Sequence, residues 1–104
     1  MLNKLKQLLG LGPKADLGAV IAAGGIIIDV RTTGEYAGGH VKGSVNIPLN
    51  SLGSQMAKLK KDKPIITCCA SGMRSGSAKA MLQSNGFAQV YNGGSWTNLK
   101  KYEK

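Results

Sequence analysis

"KPIITCCASGMRSGSAKAML", Lys63 to Leu82, holds both cysteines of a 104-residue chain, side by side. Its first seven residues read as a strand, rich in β-branched residues and apolar enough to be covered on both faces. From Ser75, "SGSAKAMLQSNG" reads as a helix, with Ala78, Met81 and Leu82 inward and Gly86 just past its end. The residues between are small, except for Met73 and Arg74. A strand that turns through a glycine into a helix is half of a βαβ unit.

The rest of the chain repeats that alternation. Asp16 caps a helix over "LGAVIAA", which Gly24 and Gly25 end. "IIIDV", Ile26 to Val30, is a second fully apolar strand, and "TTGEYAGG" a short helix capped by Thr32 or Thr33. "SVNIP" is a short strand stopped by Pro48. "SLGSQMAKLKK" places Leu52, Met56 and Leu59 on one helical face. "AQVYN" is a further core strand and "SWTNLKKY" a closing helix. The pattern predicts an α/β domain with a parallel sheet and helices on both faces. Such folds bind ligands beyond the carboxyl ends of their strands, where Cys69 falls.

Composition narrows the class. One domain over residues 15–104 is expected, preceded by an amphipathic segment over residues 1–14 with Leu2, Leu5, Leu8 and Leu9 at helical spacing. That segment reads as a short helix packing on the domain; a weak membrane-surface anchor is the sharper alternative. It lacks a signal-peptide pattern, and no stretch is long enough for a membrane span, so a cytoplasmic protein is expected. The formal net charge is +9, but the lysines gather in "KLKKDK", Lys58 to Lys63, and in the tail "KKYEK". Without interleaved aromatics or a base-reading motif, these runs read as solvated surface rather than a nucleic-acid site. Attraction of anionic substrates or of an acidic partner fits them better.

Neighbouring cysteines seldom reach disulfide geometry, and no ligand set for a metal surrounds them. No metal and no cofactor are expected. Period-two alternation sends Cys68 and Cys69 to opposite faces of the strand. Cys68, still within the strand, reads as a packing residue. Cys69 opens a loop through Ala70, Ser71, Gly72, Met73, Arg74 and Ser75. Amides of such a loop turn inward as an anion nest, and the first amides of the following helix add partial positive charge. Arg74 supplies a cation able to grip an oxyanion bidentately. A free cysteine, pKa ~8.5, can fall to ~3.5–7.5 in such a setting.

These residues carry a resemblance. "DVRTTGEYAGGHVKGSVNIPL", Asp29 to Leu49, then "CASGMRS", Cys69 to Ser75, then "LQSNGFAQVYNGGSW", Leu82 to Trp96, are together similar to the single-domain rhodanese-like sulfurtransferases. The resemblance runs from about Leu17 to Trp96. It implies a parallel sheet of about five strands and Cys69 as a nucleophile, with no cofactor. Cys69 would take a sulfane sulfur from thiosulfate or a persulfide donor, and pass it to cyanide, a thiol or a protein. The persulfide would lie in the loop from Ala70 to Ser75, and the working unit is expected to be a monomer.

Rival readings remain. Related phosphatases and arsenate reductases carry one more residue between cysteine and arginine; here four separate Cys69 from Arg74, and no acid is placed nearby to protonate a leaving alkoxide. A persulfide carrier or partner-docking module, weakly active or inactive as an enzyme, is the main alternative. A disulfide formed when Cys68 attacks a Cys69 persulfide is a third. Asp29 and Arg31 either support the loop and steer an anion, or form an ion pair, with Glu35 as a partner for Arg31. His40 is expected in a structural hydrogen bond, Trp96 in core packing, and Gly93 and Gly94 in close packing beside the loop.

Overall fold

The computed structural model describes residues 16–103. The amphipathic segment expected over residues 1–14 lies outside them. Asp16 caps α1 (Leu17–Ala22), its carboxylate accepting the Ala19 N–H at 3.1 Å. Gly24 and Gly25 end the helix. A side chain at Gly25 would start 2.7 Å from the Val20 carbonyl oxygen, so the turn after the helix leaves room only for glycine at this position. β1 (Ile26–Asp29) follows, then α2 (Thr33–Ala37), β2 (Val45–Asn46), α3 (Leu49–Gln55), β3 (Ile65–Cys69), α4 (Met73–Ser84) and β4 (Val90–Ser95). Short 3₁₀ helices span Met56–Lys58 and Trp96–Tyr102.

The strands pair in parallel in the order β2-β1-β3-β4. Consecutive residues of the two central strands enter opposite cores. Ile28, Ile65 and Cys69 join Leu52 of α3 and Ala78 and Leu82 of α4. Ile27, Ile66 and Cys68 join Val41 and Leu99, with Leu17, Val20 and Ile21 of α1 packed on them. Both faces of the sheet are therefore covered, which is why the two central strands are apolar at nearly every position, with Asp29 and Thr67 the buried polar exceptions. Full burial of each such aliphatic side chain stabilises the fold by roughly 1.5–3 kcal/mol.

Four details correct the sequence reading. Among the described residues the sheet has four strands, not about five. Only four strand-like runs stood in the sequence, and the fifth came from the resemblance alone. α4 begins at Met73 rather than near Ser75, because Gly72, at φ +105°, serves as its N-cap. α3 gives way to 3₁₀ geometry at Met56, and the closing segment is 3₁₀ throughout. Cys69 is the last residue of β3, so the loop it was expected to open begins at Ala70.

The lysine run precedes β3, whereas Cys69 ends it. The Lys58 to Lys63 run thus lies at the opposite end of β3 from the cysteines.

Candidate functional site

β3 delivers two thiols into two environments. Cys68 lies between Ile66 and Leu99 and is 0% exposed. Burial pushes its thiol up to about 12, and the negative charge of Asp29 adds to the effect. The Cys69 Sγ faces the loop and accepts the Gly72 N–H at 2.9 Å. Burial pushes this thiol up as well, but hydrogen bonds open to the thiolate from the Ser75 hydroxyl and from the Ser75, Gly72 and Ser71 amides outweigh it and hold the thiol at about 7. Cys69 is also 0% exposed, while Ala70, Ser71 and Met73 on the rim are exposed. The rim thus covers Sγ from solvent. Both cysteines are free, and their opposite directions work against a disulfide between them.

Glycines let the loop close. A side chain at Gly72 would meet the Gly94 Cα at 3.4 Å, so the loop lies on the backbone of β4. Gly93 is tighter: an added carbon would stand 2.9 Å from Ile66 Cγ2 and 3.0 Å from both Leu99 Cδ1 and the Thr67 carbonyl oxygen. Between the pairs Thr67–Asn92 and Cys69–Ser95, β4 carries one residue more than β3. This bulge turns the strand end toward the loop. Close packing beside the loop is as the glycine pair predicted.

The charged residues distribute differently from expectation. Arg31 pairs with Asp29, not with the Glu35 carboxylate. Its Nε and Nη2 donate to the Asp29 carboxylate at 2.8–3.0 Å, and Nη2 also donates to the Gly39 carbonyl at 2.7 Å. The guanidinium lies 4.6 Å from the centre of the Trp96 ring. Arg31 thereby anchors the loop after α2, with Trp96 packed over it. Arg74 in turn grips Glu35, Nη1 to Oε1 at 2.7 Å and Nη2 to Oε2 at 3.0 Å. Those bonds and the Thr32 N–H hold the Glu35 carboxyl down at about 2. A cavity of about 310 Å³ opens beside Arg74, lined by Val30, Thr32, Pro48, Leu49 and Asn50. His40 donates through Nδ1 to the Tyr36 carbonyl (2.8 Å) and stacks on the Tyr36 ring, the structural place expected of it.

Three contributors escaped the sequence reading. Asn92 accepts the Ser75 hydroxyl (2.6 Å) and the Gly94 N–H (2.9 Å), and donates to the Gly72 carbonyl (3.1 Å). Thr67 donates to the Ser75 carbonyl at 2.9 Å, tying α4 to β3. Glu35 is the partner of Arg74. Alternation along β4 was the available signal for Asn92, since it shares a face with Val90, which packs in the core with Cys69.

A family model described as a rhodanese-like domain matches residues 13–101. The chain belongs to the rhodanese-like domain family. A Bacillus subtilis protein named Uncharacterized protein YqhL is 41% identical over 66 residues, covering 64% of this chain; the chain spans only 52% of that relative's length. The thiosulfate sulfurtransferase GlpE of Stutzerimonas stutzeri is 36% identical over 80 residues, 77% of this chain and 73% of the relative. Among solved structures, the human single-domain sulfurtransferase TSTD1 superposes with a TM-score of 0.72 at 25% identity, over 89% of this rhodanese-like chain and 99% of that one. The parallel α/β architecture is thus that of the family, and its named relatives include sulfurtransferases.

Proposed function

We propose that this rhodanese-like protein is a thiosulfate sulfurtransferase-type enzyme that works through a persulfide on Cys69. The observation that carries the reading is the environment of the Cys69 Sγ, where donors converge on the sulfur and hold its thiol at about 7. Near neutral pH a large share of it is thiolate, the nucleophilic form. That thiolate attacks the sulfane sulfur of thiosulfate. An S–S bond to Cys69 forms, the bond to the sulfonate sulfur breaks, and sulfite leaves with the electron pair. The resulting persulfide anion occupies the loop of Ala70, Ser71, Gly72, Met73, Arg74 and Ser75. An acceptor nucleophile such as cyanide or a thiolate then takes the outer sulfur and restores the Cys69 thiolate. Asp29 and Arg31 pair with each other and brace the loop after α2, acting as structural support rather than touching substrate. One chain supplies every group in this scheme, so a monomer suffices, and two free thiols suit the reducing cytoplasm.

A second reading draws on Arg74. Its guanidinium is engaged by Glu35, so a small anion must compete for it. A protein that delivers a persulfide would not depend on that competition. On this reading the domain is a carrier in a sulfur relay, slow with thiosulfate and fast with a persulfide-bearing partner.

Intact mass after incubation with thiosulfate tests the assignment. One added sulfur atom is expected in the unmodified protein and in Cys68→Ser, lost on adding cyanide. Cys69→Ser should gain none. Sulfur uptake by Cys69→Ser, or its loss in both variants, removes Cys69 from the role.

A further inference from the structure

The Ser75 hydroxyl has one proton and two takers. Its Oγ lies 2.6 Å from Asn92 Oδ1 and 3.4 Å from the Cys69 Sγ. Which taker receives the proton follows from the amide of Asn92. One end of that amide meets the Gly94 N–H, which can only donate; the other meets the Gly72 carbonyl, which can only accept. The oxygen must therefore face Gly94 and Ser75, and the NH2 must face Gly72. An amide oxygen has no proton to give, so the Ser75 proton points at Asn92. What Ser75 turns toward the Cys69 Sγ is a lone pair, a good partner for S–H and a poor one for a thiolate.

The approach is built into the fold. Gly76 has no side chain to block the amide; an added carbon would stand 3.3 Å from Asn92 Nδ2. Ser75 is 0% exposed, so its hydroxyl is confined to these two partners, whereas Asn92 is exposed and reaches it from the solvent side. The other ionisable groups around the thiol are Cys68 on β3, Asp29 and Arg31 at the end of β1, Arg74 on α4 and Glu35 on α2. Among the described residues, none of these hydrogen-bonds to Asn92.

We propose that Asn92 is a positioning residue that restrains ionisation of Cys69 by holding the Ser75 proton on its own side chain. The inference rests on Cys69 being the reactive thiol of the proposed function. When Cys69 ionises, the Ser75 hydroxyl rotates to donate to Sγ, and Asn92 Oδ1 keeps only the Gly94 N–H. No covalent bond is broken beyond the S–H, whose proton leaves to solvent or substrate.

The test is the pH profile of iodoacetamide alkylation at Cys69 in a Cys68→Ala background, which leaves one thiol. Asn92→Ala frees the Ser75 proton for the sulfur. Its midpoint should fall by about half a unit, which is about threefold more thiolate on the acid side. In a Ser75→Ala background the same Asn92 substitution should move nothing. Asn92→Leu, closer in volume, should repeat both results and guards against a folding defect in the alanine variant. An unchanged midpoint, a rise, or an equal shift with and without Ser75 overturns the proposal, since a slackened loop would act in both backgrounds. Sulfur loading followed by intact mass on the same samples separates the two ideas. A protein that never loads sulfur but shows the coupled shift loses the proposed function and keeps the role of Asn92.

Discussion

Arg74 donates to both carboxylate oxygens of Glu35, at 2.7 and 3.0 Å, across the gap between α4 and α2. Glu35 also accepts the Thr32 N–H at 3.1 Å, and Thr32 returns a bond to the Glu35 N–H at 3.2 Å. The residue that completes the capping box of α2 is thus the one that occupies the cation beside the cysteine loop.

Glu35→Gln keeps the cap and removes the charge. Arg74 becomes available to an anionic donor, and KM for thiosulfate should fall about two- to fivefold, the scale of an exposed pair. Steady-state kinetics at two salt concentrations checks this. A KM that rises or stays put would mean that Glu35 does not compete with the donor. The carboxyl is held near 2, so the pair stays intact through the neutral range and adds no step to the activity profile there.

The two thiols should separate by pH. Alkylation at Cys69 rises through about pH 7, whereas Cys68 stays protonated until about 12. Peptide mapping after brief iodoacetamide treatment at pH 8 should find the label on Cys69 alone. Label on Cys68 at that pH would contradict its burial.

The same values set the alkaline stability. The Cys69 thiol is depressed from 9.0 to about 7, so the unfolded chain binds more protons there between those values. This contribution is complete above pH 9 and is lost as pH falls through 7. Cys68 is raised from 9.0 to about 12, so its contribution has the opposite sign and is lost as pH rises from 9 toward 12. Urea midpoints of Cys69→Ser should lack the rise between pH 7 and 9, and those of Cys68→Ala should lack the later fall.

Asp29→Ala should be costly. It leaves the Arg31 guanidinium at 4% exposure with its carboxylate gone, a loss of about 3–5 kcal/mol. Chemical denaturation measures it, and replacing both residues with apolar ones should recover much of the deficit.

Two glycines give a contrast in backbone packing. Gly93→Ala drives a carbon against Ile66, Leu99 and the Thr67 carbonyl, at a cost of about 1–3 kcal/mol. Gly34 lies in α2 with nothing within 4 Å, so Gly34→Ala should stabilise by about 0.5–1 kcal/mol. Melting temperatures should therefore move in opposite directions.

The fold was largely legible because its strands carry their signal locally. Ile26 to Val30 and Ile65 to Cys69 are apolar on both faces except at Asp29 and Thr67, a pattern that suits a sheet covered on both sides. The opposite directions of Cys68 and Cys69 followed from the strand period alone. Helix ends were less legible. Whether α4 starts at Met73 or Ser75 depends on Gly72 taking a left-handed backbone, which composition permits but does not require. The charged pairs could not be read at all. Arg31 has Asp29 two residues away and Glu35 four away, and the choice between them is made by the turn after β1. Asn92 and Glu35 meet the loop only through tertiary contacts, 17 residues from Ser75 and 39 from Arg74.

The cysteine doublet encodes two loops at once. Counted from Cys69, four residues lead to Arg74; counted from Cys68, five do, the length that resemblance associates with larger tetrahedral oxyanions. The pairing of Ile66 with Ile27 and of Cys68 with Asp29 selects the shorter loop by turning Cys69 toward it. One residue inserted between Ile66 and Thr67 would advance the reading frame of β3 by one position. Cys68 would then stand where Cys69 stands now, at the head of the longer loop, without any change to the residues that form it.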